Sequence, residues 1–144
     1  MPLDRQGQIA TLVEHYQNPR YKGILEDADV VMPGGSPECG GSVVIYFKAG
    51  QEGRIDALTF TGEGDIISQA ATSMILEQVQ GEGHTIDEIL ALDYEAFVDR
   101  VGREVVGRRT RNATLGLSTL KSAVRKYQKD SWHIGSTAES ACSR

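Results

Sequence analysis

Cys39 is the residue of this chain best suited to chemistry, because it lies in the segment Ser36-Pro37-Glu38-Cys39-Gly40-Gly41. A tight loop of this composition exposes a thiol, and a thiolate is both a nucleophile and a metal ligand. The second cysteine, Cys142, belongs to a polar C-terminal stretch rich in Ser, Thr and Ala. One thiol cannot complete a four-thiolate metal site. Any metal bound here therefore needs ligands other than cysteine, or a second chain.

Five arginines lie close together in the second half of the sequence, accompanied by the acidic residue Glu104. Such a run is consistent with a solvated helix face, or with a docking patch for an acidic partner or an anion. The arginines are Arg100, Arg103, Arg108, Arg109 and Arg111. We take the last three of them, Arg108, Arg109 and Arg111, as the candidate partner-docking residues.

Length and composition indicate one ordinary globular domain, with 144 residues, 40% of them hydrophobic and 24% charged. No apolar run approaches the roughly 20 residues that span a bilayer, and the N-terminus lacks the apolar core of a secretory signal, so we expect a cytoplasmic protein without a membrane partner. The net charge of −5 and an arginine run without interleaved aromatic residues disfavour nucleic acid as a partner. The sequence shows neither a Cys–His pairing nor a nucleotide-binding loop, and we expect a protein that is not an enzyme.

The spacing of apolar residues predicts five helices and three strands. The helices are expected over residues 4–17, 65–80, 85–92, 93–101 and 112–129, and the strands over 27–33, 42–49 and 54–61. The glycine-containing stretches 34–37 and 62–64 are interpreted as a loop and a tight turn. This order predicts an α+β fold, a small three-stranded antiparallel sheet packed against several helices. We expect residues 1–129 to form the domain and residues 130–144 a flexible C-terminal tail.

Several short motifs follow one another in a fixed order along residues 8–127. They are His15-Tyr16-Gln17-Asn18-Pro19-Arg20, Ser36-Pro37-Glu38-Cys39-Gly40, Gly62-Glu63-Gly64, Ile67-Ser68-Gln69-Ala70 and Asn112-Ala113-Thr114-Leu115. In this combination and order the chain resembles the IscU/SufU/NifU-type family of iron–sulfur cluster scaffolds. The resemblance implies an IscU/NifU-like scaffold domain over most of the chain.

The resemblance also implies which positions hold a cluster or a zinc ion, and the chain departs from the family at most of them. The family uses three cysteines and often an aspartate two residues after the first cysteine. Cys39 matches the first cysteine, and Gly41 stands at the aspartate position. Asp65 and Asn112 stand at the second and third cysteine positions, and Gly107-Arg108-Arg109-Thr110 replaces the family's Pro-Pro docking stretch.

Asp65 and Asn112 each admit two interpretations. Both are expected at helix N-termini, where an Asp or Asn side chain caps free N–H groups and stabilises the helix by about 1 kcal/mol relative to alanine. In the other interpretation Cys39, Asp65 and Asn112 bind the cofactor, with Cys39 and Asp65 as metal ligands and Glu63 or His15 as further donors. One thiolate with a carboxylate suits a weakly held Zn or Fe ion better than a stable cluster. The cofactor is then an iron–sulfur cluster or a single Zn or Fe ion, or the site binds no metal.

The resemblance implies an iron–sulfur cluster assembly scaffold-like protein, in which Cys39 binds iron or a cluster or accepts persulfide sulfur. The implied partners are a cysteine desulfurase and other iron–sulfur assembly proteins. A homodimer would allow a cluster shared between two chains, each contributing its Cys39. The alternative is a ligand-depleted paralogue that binds the family's partners as a non-catalytic adaptor or regulator.

Overall fold

The computed structural model describes residues 4–36, 38 and 40–136, with side chains as far as Asp130. Within these residues the chain forms an α+β fold, as predicted. Six helices and three strands follow in the order α1 Arg5–Gln17, β1 Val30–Ser36, β2 Gly41–Ala49, β3 Ile55–Gly64, α2 Ile66–Glu82, α3 Ile86–Leu90, α4 Tyr94–Val101, α5 Arg103–Val106 and α6 Thr110–Ser136.

The three strands form one antiparallel sheet in the order β1-β2-β3, and α2 and α6 cover one of its faces. Side chains alternate along β2, so that Val43, Ile45 and Phe47 are buried beneath these helices. This alternation is the period of two expected for a strand with one face on the core. The helices α2 and α6 therefore pack side by side on one face of the sheet.

Two glycine-containing stretches that were expected to be a loop and a turn lie in strands instead. Residues 34–36 continue β1, and residues 62–64 continue β3, with Val43 of β2 paired to both Gly34 and Gly62. A Cβ atom at Gly34 would overlap the Oγ1 atom of Thr119 on α6. Glycine is needed there because a helix packs closely over the strand, and not because the chain turns.

The predicted helix starts are mostly confirmed, because they depend on local caps. Asp4, Asp65 and Asp93 each accept a hydrogen bond from the backbone of the helix that follows, and Thr85 forms a reciprocal capping box with Glu88. The short helix α5 was not predicted. It lies between two glycines with positive φ angles, Gly102 and Gly107.

The last helix is longer than predicted at both ends. It begins at Thr110, two residues before the expected start, and continues to Ser136, beyond the expected end at residue 129. The expected tail therefore begins as helix over residues 130–136, and the remainder, with Cys142, lies outside the described residues. None of the helices in the described part of the chain is long and apolar enough to cross a membrane.

A short segment after α1 pairs with the outer edge of β3 at one residue, Phe60. The Phe60 N–H donates to the carbonyl of Tyr21, and the Gly23 N–H donates to the carbonyl of Phe60. Lys22 thus forms an isolated parallel bridge to Phe60. The segment that follows α1 is therefore fixed to the sheet at the strand that leads into α2.

Candidate functional site

The loop that carries Cys39 is described at Glu38 and Gly40, while Cys39 itself and Pro37 lie outside the described residues. Glu38 is exposed. The carbonyl of Gly40 accepts a 2.8 Å hydrogen bond from the backbone N–H of Asp65. The residue that follows Cys39 in sequence is therefore attached to the start of α2.

Asp65 caps α2, in agreement with the first of the two interpretations that the sequence left open. Its backbone is extended, with φ −74° and ψ 168°, and its Oδ1 atom accepts a 2.8 Å hydrogen bond from the N–H of Ser68. The hydroxyl of Ser68 in turn donates to the carbonyl of Asp65 at 3.2 Å. The side chain of Asp65 is about three-quarters buried, with 23% of its surface exposed.

Asn112 does not cap α6, and this expectation was wrong. The helix α6 begins at Thr110, and the Ala113 N–H donates to the carbonyl of Arg109 in its first turn. Asn112 is therefore the third residue of the helix and not its cap. Its side chain makes a contact outside α6, because its Nδ2 atom donates a 2.7 Å hydrogen bond to Oδ2 of Asp65. A Cβ atom at Gly40 would come within 2.6 Å of this amide nitrogen. Asp65, Asn112 and Gly40 therefore meet at one point.

The pKa of the Asp65 carboxyl lies below its ordinary value. Burial by itself raises this pKa, but the hydrogen bonds from Ser68 and Asn112 and the nearby charge of Arg109 outweigh burial and lower it. The Nη1 atom of Arg109 is 4.0 Å from Oδ2 of Asp65. The carboxylate is thus held ionised among hydrogen-bond donors.

The clustered arginines separate into two groups in the structure. Arg103 is paired with Asp99 at 2.6 Å and with Glu95 at 2.8 Å, and Arg100 lies 3.7 Å from Glu82. The three candidate docking residues are exposed and surround the start of α6; they are Arg108, Arg109 and Arg111. Within the described chain, Arg108 and Arg111 have no ion-pair partner. A positive surface therefore adjoins the Asp65–Asn112 contact.

A cavity of about 370 Å³ lies between this surface and the ends of β1 and β2. Its polar lining comes from Arg111, Asn112 and the buried Ser68, and its other lining residues are Gly35, Gly41 and Leu115. The cavity thus presents the N–H donors of the Arg111 guanidinium beside the loop that ends at Gly40, whereas the Asn112 amide and the Ser68 hydroxyl already donate to Asp65. Donor groups of this kind suit a small anionic or polarisable group.

The described residues contain no group of three His, Cys, Asp or Glu side chains that could hold a metal ion. Glu63 is exposed on the last residues of β3. Of the expected ligand set Cys39, Asp65 and Asn112, the structure describes Asp65 and Asn112, and these two side chains are hydrogen-bonded to each other. The ligand roles of Cys39 and Asp65 remain predictions.

His15, considered as a further donor from the sequence, is part of the fold. It is 4% exposed, its Nδ1 atom is 2.8 Å from Oγ of Ser73, and its Nε2 atom is 3.4 Å from Oε1 of Glu77. The Ser73 hydroxyl also accepts a 2.8 Å hydrogen bond from the Arg20 N–H, so its own hydrogen is available for Nδ1 of His15. The motif that begins at His15 therefore joins α1 to α2. The i,i+4 spacing of Ser73 and Glu77 on α2 was the one sequence feature that could have indicated this.

Comparison with known proteins finds a matching family model, relatives with similar sequences and solved structures with a similar fold. A family model described as the NifU-like N terminal domain matches residues 9–133. The iron–sulfur cluster assembly scaffold protein IscU of Thermotoga maritima is 31% identical over 111 residues, which are 77% of this chain and 75% of that protein. Two Archaeoglobus fulgidus proteins, the scaffold proteins IscU 1 and IscU 2, are 37% identical over 89 residues, and the chain spans 56% of their length.

Among solved structures, the N-terminal part of a nitrogen-fixing NifU-like protein from Brucella abortus superposes with a TM-score of 0.70. The superposition covers 88% of this chain and 99% of that one at 20% sequence identity. A likeness of this kind shows that the two chains share a fold.

Proposed function

Because this chain belongs to the NifU-like N-terminal domain family, we propose that it takes part in iron–sulfur cluster assembly as a scaffold-like protein whose reactive group is the Cys39 thiol. The names of the relatives from Thermotoga maritima and Archaeoglobus fulgidus support the process. The observation that carries the proposal is the meeting of Asp65 and Asn112 at Gly40, the residue after Cys39. The starts of α2 and α6 thus lie beside Gly40, which supports a site that includes the adjacent Cys39.

Of the activities that the sequence predicts for Cys39, the surroundings favour sulfur acceptance. The thiolate of Cys39 attacks the terminal sulfur of a persulfide on a cysteine desulfurase. A bond forms between Sγ of Cys39 and that sulfur, the S–S bond of the donor breaks, and its electron pair leaves on the desulfurase cysteine as a thiolate. The product is a Cys39 persulfide, and the reducing cytoplasm expected from the sequence keeps the accepting thiol reduced.

The charge around the cysteine loop supports an anionic sulfur species. Arg111 is exposed and lines the cavity, and the exposed Arg109 lies 4.0 Å from Asp65, whose N–H donates to Gly40. Positive charge and N–H donors favour a thiolate or persulfide anion over its protonated form. Arg108, Arg109 and Arg111 also form the surface that we propose for docking the desulfurase or another assembly protein.

A bound cluster, or a Zn or Fe ion held by Cys39 and Asp65, is the other activity predicted for this site. A metal ion at Asp65 would have to compete with the hydrogen bonds that the carboxylate accepts from Ser68 and Asn112. A cluster shared by two chains through Cys39 of each does not require this, and it would make the protein a homodimer. Metal, acid-labile sulfide and oligomeric state measured together on anaerobically isolated protein distinguish these arrangements.

One observation favours a second candidate function, an adaptor or regulator without sulfur chemistry. The side chains at two ligand positions satisfy each other, so the site is stable without any cargo. Such a protein would occupy the docking surface of a desulfurase through its arginines and would not receive sulfur.

The test is a sulfur-transfer experiment with a purified cysteine desulfurase and cysteine. We expect mass spectrometry to find one added sulfur on the peptide that contains Cys39, with the modification lost in Cys39→Ser and retained in Cys142→Ser. A complex that forms with no sulfur on Cys39 would support the adaptor instead. Failure to form any complex and to accept sulfur would contradict both functions.

A further inference from the structure

Both oxygens of the Asp65 carboxylate face hydrogen-bond donors. Oδ1 accepts from the Ser68 N–H at 2.8 Å, and Oδ2 accepts from Asn112 at 2.7 Å, with the Arg109 guanidinium at 4.0 Å from the same oxygen. The carboxylate is three-quarters buried, so few water molecules can compete with these protein donors for its oxygens. Hydrogen bonds to an ionised acceptor are the stronger kind in proteins.

This arrangement is unfavourable for a metal ion. A cation that approaches Oδ2 of Asp65 meets the amide hydrogens of Asn112 and the positive charge of Arg109. The charge of a cation bound to this oxygen would be opposed by the charge of the guanidinium. Asn112 also presents its amide nitrogen, which donates a hydrogen bond and has no lone pair for a metal.

A second close contact acts at the position where the family often has an aspartate ligand. A Cβ atom added to Gly41 would overlap the Oγ atom of Ser68 and lie 3.1 Å from its Cβ atom. Ser68 is fully buried and fixed by hydrogen bonds to the carbonyl of Asp65 and from Nε2 of Gln69. The packing of Ser68 therefore favours glycine as the first residue of β2 and opposes a larger side chain at position 41.

We propose that a hydrogen-bonded bridge between Asp65 and Asn112 takes the place of a metal ion in this protein, closing the junction of α2 and α6 without metal. The tight Gly41–Ser68 contact belongs to the same arrangement, because it opposes a larger side chain at the remaining ligand position and brings β2 against the start of α2. The site is then complete as a protein structure, and Cys39 is a single thiol that works without a metal beside it.

The first test uses the unaltered full-length chain and needs no partner. We expect Co²⁺ or Zn²⁺ titration to find far less than one tightly bound ion per chain, and Tm to be the same with added Zn²⁺, with EDTA or with neither. One ion bound per chain, with a higher Tm that EDTA reverses and with binding lost in Asp65→Ser, would overturn the proposal. Asp65→Ser suits this purpose because serine still caps a helix.

The second test restores thiols at the two bridging positions. The double variant Asp65→Cys with Asn112→Cys is expected to bind one Co²⁺ per chain with the absorption of thiolate-to-metal charge transfer, and adding Cys39→Ser is expected to remove most of that absorption. The matched control Asp65→Ser with Asn112→Ser removes the same bridge and supplies no ligand. A folded double-cysteine variant that binds no Co²⁺ would overturn the proposal, since the two side chains would then not be what excludes metal. If that variant does not fold, the first test decides alone.

These measurements are separable from the proposed sulfur acceptance. Metal content and Tm are obtained without a desulfurase, whereas the sulfur on Cys39 is measured by mass. A chain that binds metal through Asp65 and still accepts sulfur contradicts only the bridge. A metal-free chain that accepts no sulfur contradicts only the proposed function.

Discussion

The Nδ2 atom of Asn112 lies 2.7 Å from Oδ2 of Asp65, and this hydrogen bond joins the first turn of α6 to the N-cap of α2 across 47 positions of sequence. The same Asp65 is tied through its backbone N–H to the carbonyl of Gly40. A cap, a helix and the end of the cysteine loop are thus connected through a single residue. Changes at either partner are expected to act on stability and on the site together.

Asn112→Ala is expected to lower the free energy of unfolding by about 1–2 kcal/mol. A buried hydrogen bond to a charged group contributes roughly 1.5–3 kcal/mol, and this one is partly exposed. Asn112→Asp should cost more at neutral pH, because it places a second carboxylate against Asp65. Urea unfolding of Asn112→Ala, Asp65→Ser and the double variant measures the coupling between the two side chains. Strictly additive effects, within about 0.3 kcal/mol, would show that the hydrogen bond contributes nothing.

Gly41→Ala is expected to destabilise the protein by about 1–3 kcal/mol, the usual cost of forcing a side chain into a packed region. Gly41→Asp should be worse, since its carboxylate would be pressed against buried Ser68. In a Ser68→Gly background the cost of Gly41→Ala should fall, because the atoms that it would overlap are gone. Thermal unfolding of the unaltered protein, Gly41→Ala, Ser68→Gly and the double variant measures this change in cost.

A matched control for that series is Gly81→Ala, within α2. A Cβ atom at Gly81 would meet no heavy atom within 4 Å. Alanine there is expected to stabilise the helix by up to about 1 kcal/mol. Equal losses of stability at positions 41 and 81 would contradict the role given to the Gly41–Ser68 contact.

The stability of the protein is expected to fall as the pH drops below about 6.5, through His15. Burial lowers the pKa of His15, Arg20 lowers it further, and Glu77 and Glu14 oppose this in part. The unfolded chain therefore binds a proton at a higher pH than the folded chain, so the contribution of neutral His15 is complete above the unfolded pKa and is lost as the pH falls towards the folded pKa. His15→Gln should flatten the slope of unfolding free energy against pH between about 7.5 and 5.5. An unchanged slope in that variant would contradict the prediction.

Reversal of charge at the exposed arginines should slow sulfur transfer from a desulfurase. Arg109→Glu with Arg111→Glu is expected to reduce the rate about tenfold at low salt and less at physiological ionic strength, because surface charges chiefly affect association. Arg100→Glu with Arg103→Glu is the control with the same change of net charge, since these two arginines are paired with Glu82, Glu95 and Asp99 and not with Asp65. Equal effects of the two changes would indicate that net charge, and not this surface, governs the encounter.

The sequence was sufficient for features of the fold that have local causes. Asp65 and Asp93 were recognisable as caps, and the Thr85–Glu88 capping box was recognisable from its spacing, because each acts within one turn of its own helix. The extension of β1 through Gly34 was not, since it depends on Thr119, which is distant in sequence. Glycine next to proline usually indicates a turn, and only the packed helix shows that it permits close contact here.

The candidate site shows the same division. The family resemblance placed Asp65 and Asn112 at related positions, but their hydrogen bond depends on α6 starting at Thr110, which leaves the Asn112 side chain free of a capping role. From the sequence, His15 was considered as a further donor at the site. Its burial against Ser73 and Glu77 follows from how α1 packs on α2, and no periodicity within α1 encodes that.

The edges of the sheet have a consequence for self-association. Hydrogen bonds from the segment after α1 already occupy the outer edge of β3 at Phe60, and Pro33 removes one N–H donor from β1 at the other edge. These two features hinder the addition of a strand from a second copy at Phe60 and at Pro33, which disfavours the runaway strand addition that produces fibrils. Pairing of two such molecules through their helices and loops is thereby favoured over strand addition.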